Sequence, residues 1–143
     1  MKKKILYVDM DGVMCDFFGP FKKMRSGEIP YPQSKHGFFL GLEPLPDAIE
    51  SYKKLEEFYD VYILTRASIY NTNCYTEKAE WVKKHLGFDT LNKLILCPDK
   101  SLVKGDYLID DMNTDHQSEF EGEWIHFGSE KFPDWKSVLS YLI

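Results

Sequence analysis

The stretch Ile5-Leu6-Tyr7-Val8-Asp9-Met10-Asp11-Gly12-Val13 constrains this chain more than any other. Its apolar run is too short for a core helix and reads as a buried strand. Side chains two residues apart on an extended backbone point the same way, so Asp9 and Asp11 are aimed together where the strand stops. Two carboxylates side by side repel each other unless a cation sits between them or one keeps its proton. Metal-assisted phosphoryl chemistry supplies both conditions.

The remaining pattern alternates strand and helix, which predicts an α/β fold around a mainly parallel five-stranded sheet flanked by helices. After a first strand at Lys4 to Asp9, strands are expected at Asp60 to Thr65, Lys93 to Cys97, Tyr107 to Ile109 and Trp124 to Phe127. Helices are expected at Leu45 to Tyr59, Thr76 to Leu86 and Pro133 to Leu142. In the first of these, Ile49, Tyr52, Leu55 and Phe58 form an inward stripe, and Asp47 suits the positive helix end. In the second, Ala79, Val82 and Leu86 face inward and Gly87 is the stop. With 143 residues, positions 1–143 read as one domain. Residues 17–43 break the alternation as an insertion rich in glycine, proline and aromatic residues, an ordered cap or a lid over a site.

A net charge of −5 without a basic stripe argues against binding a nucleic-acid polymer. Lys2-Lys3-Lys4 is followed by too few apolar residues for a signal-peptide core or a membrane span. Cys15, Cys74 and Cys97 are odd in number and far apart, which suits free thiols in a cytoplasmic protein.

In parallel α/β sheets, ligands bind beyond the carboxyl ends of the strands. The expected strand ends carry Asp9 and Asp11, Thr65 and Arg66, and Asp110 and Asp111, and the loop after the third strand adds Lys100. Acids, a hydroxyl and a lysine on one edge make an Mg²⁺ site beside a phosphate site, since oxygen ligands suit a hard cation. Each piece has a plainer reading. Asp9-Met10-Asp11-Gly12 has the glycine too early for a calcium loop and lacks its distal glutamate. Asp110-Asp111 alone is equally a helix cap, and Lys100 alone a surface lysine. Their order along the chain carries the argument.

That ordered set resembles the haloacid dehalogenase superfamily of aspartate-nucleophile phosphatases, with Asp9 to Val13, Thr65, Lys100 and Asp110-Asp111 matching its four motifs. The chain is further similar to the 5′(3′)-deoxyribonucleotidase family in three segments: Asp9 to Val13, Leu42-Glu43-Pro44-Leu45-Pro46, and Asp99 to Asp111. Glu77-Lys78 followed by Trp81-Val82 also fits. The resemblance implies a magnesium-dependent phosphatase of nucleoside monophosphates, deoxyribonucleotides foremost, working through an aspartyl-phosphate. It implies Asp9 as nucleophile and metal ligand, and Asp11 as general acid and base with a pKa raised by a neighbouring negative charge. The Asp11 backbone carbonyl would also bind the metal. Thr65 and Lys100 would hold phosphate, with Asp111 a direct metal ligand and Asp110 beside it; Arg66, a departure from the family pattern, would add its grip on phosphate or point elsewhere.

Arg66 stands where animal members tend to carry a small hydroxyl residue, and the 17–43 insertion is about half the length of their cap. Phe17, Phe18, Phe38 and Phe39 are the candidate base-stacking residues, with packing of the cap as the alternative. A short cap leaves room for a second subunit to complete the pocket in a homodimer. Two other functions stay open: a sugar phosphatase using the same acids, and a non-catalytic phospho-acceptor module. The early position of Asp9 and late position of the acid pair disfavour the latter.

Overall fold

A computed structural model describes residues 2–27 and 31–143, so residues 28–30 of the insertion lie outside the described residues. Five strands, β1 (Ile5–Val8), β2 (Asp60–Thr65), β3 (Leu94–Leu96), β4 (Tyr107–Asp110) and β5 (Glu123–His126), form one parallel sheet in the order β3-β2-β1-β4-β5. β1 is central: Val8 lies opposite Ile63 on one side and Ile109 on the other. A strand enclosed on both edges and both faces needs an uninterrupted apolar sequence, which Leu6-Tyr7-Val8 supplies.

Four helices accompany the sheet: α1 (Phe18–Ser26), α2 (Ala48–Glu56), α3 (Asn73–Leu86) and α4 (Trp135–Leu142). Leu6, Val8, Ile63, Ile109 and Ile125 join Tyr52 and Leu55 of α2, Trp81 and Val82 of α3, and Trp135 and Val138 of α4 in the main core. The alternate strand residues Tyr7, Leu64 and Leu108 form a smaller cluster with Phe120. The period of two along each strand divides the residues between these clusters.

Several expected boundaries move. α2 starts at Ala48, because Asp47 turns through the left-handed region (φ 65°) and makes no side-chain cap. Phe58, expected inward, lies beyond the helix end and is 48% exposed. α3 starts three residues earlier than the sequence pattern indicates, at Asn73, whose N–H donates to Asn71 Oδ1 at 3.1 Å. Ala79 and Leu86 are only half-buried, while Glu77 and Lys78 take the inward positions with Cys74, Trp81 and Val82. α4 begins at Trp135 under an Asp134–Ser137 capping box.

The 17–43 segment leaves and re-enters the domain at one point. Asp16 N–H donates to Glu43 O and Leu45 N–H to Met14 O, both at 2.8 Å, and Cys15 bridges to Pro44. Within the segment lie α1 and a 3₁₀ turn at Pro32–Ser34. No described helix is long and apolar enough to cross a membrane.

Candidate active site

The strand order reverses at β1, so the carboxyl ends of β1 and β4 flank the crevice where sheets of this kind receive ligands. Asp9 is the first residue past β1. Its N–H donates to Ile109 O at 3.0 Å, which sets it level with the end of β4. Carboxylate oxygens of Asp9, Asp110 and Asp111 come within 4.8 Å of one another. Lys100, in the 3₁₀ turn Lys100–Leu102 after β3, is 1% exposed and donates to Asp9 Oδ1 at 2.8 Å and Asp110 Oδ2 at 2.6 Å. Burial works against its charge, but Asp9 and Asp110 outweigh burial and hold its pKa above the ordinary lysine value.

The acid pair shifts toward retaining protons. Burial, then the Asp9 charge, pushes Asp110 up to about 6 against the pull of Lys100. Burial, Asp9 and Asp110 push Asp111 up to about 8. The pair is held from behind: Trp124 Nε1 donates to Asp110 O, and His126 Nε2 lies on Asp111 O, both at 3.0 Å. Gln117 Nε2 reaches Asp110 Oδ2 at 3.2 Å, and Gln117 Oε1 takes the Asp115 N–H at 2.7 Å.

Asp11 sits beside the cluster rather than in it. Its carboxylate pairs with a cation: Lys78 Nζ donates to Asp11 Oδ2 at 3.1 Å. Lys78 also donates to Thr65 Oγ1 at 2.7 Å. Thr65 ends β2 and is 1% exposed. Arg66 lies at the same edge, yet its Nη1 donates to Asp115 Oδ1 at 2.7 Å, so its guanidinium bridges the rim of the cleft to the loop after β4.

Above these groups opens a cleft of about 580 Å³. Phe17, Phe18 and Phe39 line it, and so does Phe21, which was not among the candidate base-stacking residues. Phe38 does not line it; it is buried edge-on against Phe17 and Phe39 as a packing residue, because Glu77 fixes the backbone on either side of it. Gln33, Ile69, Tyr70 and Met112 complete the apolar and polar rim. The sequence reading missed Lys78, Asp115 and Gln117. Lys78 had one signal in the sequence, the match of Glu77-Lys78 and Trp81-Val82 to the family; its inward position on α3 is not something a hydrophobic stripe can reveal.

The donor set suits a hard divalent cation. All offered atoms are carboxylate oxygens. Gly12, at φ +83°, keeps the space beside Asp111 open, since a Cβ there would collide with the Asp111 carboxylate.

The chain is similar to known proteins over most of its length. A family profile described as "5′ nucleotidase, deoxy (Pyrimidine), cytosolic type C protein" matches residues 29–133. A Vibrio phage KVP40 protein assigned to the 5′(3′)-deoxyribonucleotidases is 38% identical over 98% of this chain and 85% of its own length. The human cytosolic-type 5′(3′)-deoxyribonucleotidase is 30% identical over 92% of this chain and 77% of its own. Among solved structures, the HAD-hydrolase YfnB from Bacillus subtilis, solved bound to magnesium, superposes with a TM-score of 0.66 at 10% identity, covering 99% of both chains. The haloacid dehalogenase-like protein SP0104 from Streptococcus pneumoniae gives 0.56 at 15% identity over 97% of this chain and 90% of that one.

Proposed function

The chain belongs to the 5′(3′)-deoxyribonucleotidase family of the haloacid dehalogenase superfamily, and from that membership we propose that it is a magnesium-dependent phosphatase of nucleoside monophosphates, deoxyribonucleotides foremost, acting in the cytoplasm through an aspartyl-phosphate. The observation that carries this reading is the buried Asp9–Lys100–Asp110 ion-pair set beside Asp111, on the floor of an aromatic-walled cleft.

Asp9 Oδ1 is committed to Lys100, which leaves the second oxygen to attack phosphorus. As the new O–P bond forms, the ester P–O bond breaks and Asp11 gives its proton to the departing alkoxide. Asp11 then takes a proton from water, whose oxygen attacks the aspartyl-phosphate, releasing phosphate and restoring Asp9. Thr65 donates to a phosphoryl oxygen, and Lys100 offsets charge gathering in the transition state. Arg66 Nη1 is held by Asp115, and the remaining guanidinium N–H groups at the cleft rim are the ones that would meet phosphate. Asp9, Asp111 and the Asp11 backbone carbonyl would hold magnesium, with Asp110 alongside, and the ion would neutralise phosphoryl oxygens and keep Asp9 ionised. Phe17, Phe18, Phe21 and Phe39 supply rings for the base. We read residues 17–43 as the cap of a single domain. Exposed Phe18, Ile69, Tyr70 and Met112 at its mouth form the surface on which a second subunit would complete the pocket.

The test is phosphate release across nucleoside monophosphates and sugar phosphates, with and without Mg²⁺. Magnesium-dependent turnover favouring deoxyribonucleotides is expected; a preference for sugar phosphates would replace the substrate assignment. Asp9→Asn is expected to abolish turnover with the circular dichroism spectrum unchanged, and a variant that still hydrolyses monoesters would remove Asp9 as nucleophile.

A further inference from the structure

Lys78 is fully buried, lies outside the lining of the cleft, and yet touches three residues that line it. Its ammonium has three N–H bonds and no lone pair. One N–H goes to Asp11 Oδ2 at 3.1 Å and one to Thr65 Oγ1 at 2.7 Å, while Nζ stands 5.2 Å from the centre of the Phe39 ring.

The hydroxyl is the informative partner. Because Lys78 can only donate, Thr65 Oγ1 must accept, and its own hydrogen has to point elsewhere. Among the described residues no protein acceptor takes that hydrogen, and Thr65 lines the cleft. A hydroxyl free to rotate in water divides its time between donating and accepting; this one is set as a donor before any phosphate arrives. The same nitrogen fixes one oxygen of Asp11, whose other oxygen is met by Cys15 Sγ at 3.5 Å.

We propose that Lys78 is a positioning residue for phosphoryl transfer: it presents the Thr65 hydroxyl as a hydrogen-bond donor to the phosphoryl group and holds the Asp11 carboxylate in register with it. This rests on the phosphatase reading above and adds a residue that never touches substrate.

The experiment measures two quantities on wild type, Lys78→Met, Thr65→Val and the double variant, all with Mg²⁺: orthovanadate affinity by calorimetry, and kcat and KM on dUMP. Lys78→Met is expected to weaken vanadate at least tenfold and lower kcat about 100-fold, within the range for losing one transition-state donor. In the Thr65→Val background, adding Lys78→Met should change vanadate affinity less than threefold, since the hydroxyl it orients is gone. If Lys78→Met does not fold, Lys78→Gln, which keeps an N–H but not the charge, carries the same reading, with kcat down at least tenfold and KM within about threefold. Wild-type vanadate affinity and kcat in a folded variant, or losses that multiply fully in the double variant, would overturn the proposal. A wild type that binds vanadate but spares every nucleotide would instead sink the nucleotidase reading, with the vanadate series still deciding the role of Lys78.

Discussion

At Gly12 the backbone turns at φ +83°, in the left-handed region, and the absent Cβ leaves room for the Asp111 carboxylate and the Phe18 ring. Gly12→Ala therefore meets two costs: about 1–2 kcal/mol for an L-residue in that region, and displacement of an acid from the cluster. The expected outcome is a drop in thermal midpoint together with at least a tenfold loss of Mg²⁺ affinity, read by scanning fluorimetry and calorimetry. A variant that loses stability but binds Mg²⁺ normally would show that the Asp111 contact does not matter. Asp9, Asp11 and Gly12 were legible in sequence because strand and turn chemistry fix them locally. Arg66 was legible as a residue but not in its partner, since Asp115 lies 49 positions away and its approach depends on how the loop after β4 folds.

α3 shows where pattern reading stops. Its inward face holds Cys74, Glu77, Lys78, Trp81 and Val82 at helical spacing, yet two of the five are charged, and a charged residue in a periodicity argument is assigned outward. Their partners explain the exception. Glu77 accepts N–H donations from Gly37 at 2.9 Å, Phe39 at 3.0 Å and Leu40 at 3.1 Å, and Trp81 Nε1 donates to Leu42 O at 2.8 Å. One turn thus ties the returning half of the insertion to the domain through Glu77, while Lys78 reaches the opposite way to Asp11 and Thr65. The sheet, its helices and the strand-end acids could be read from apolar runs, but a buried charge is intelligible only once three distant segments meet it. Glu77→Ala should release Phe39 from the cleft wall. It is expected to raise KM for a deoxyribonucleotide about tenfold, leave kcat within threefold, and speed proteolytic cleavage in the 31–42 stretch. Unchanged KM with faster proteolysis would reduce Glu77 to a stability role.

For the whole molecule, the acid cluster links folding to protons and, in the magnesium-dependent reading proposed above, to a divalent ion. Unfolded aspartates titrate near 3.8, whereas in the fold burial and the Asp9 charge carry Asp110 to about 6 and Asp111 to about 8. Between roughly pH 4 and 8 the folded, metal-free protein therefore binds more protons at these groups than the unfolded chain, and the stability these two groups contribute falls as pH rises through that window. Lys100 does not reverse the slope: its pKa is raised in the fold, so its contribution is fully present below 10.5 and constant here. In the magnesium-dependent reading a divalent ion would replace the protons as the neutralising charge, so its stabilising effect would grow over the same window. Thermal midpoints in chelator are expected to decline from pH 5 to pH 8, and the shift produced by Mg²⁺ to widen. Asp111→Asn should flatten the upper half of the decline by removing the group that titrates there. A metal-free midpoint that climbs from pH 5 to pH 8, or an Asp111→Asn profile parallel to wild type, would mean that these carboxylates are balanced by the protein itself and that the cluster is not waiting for a cation.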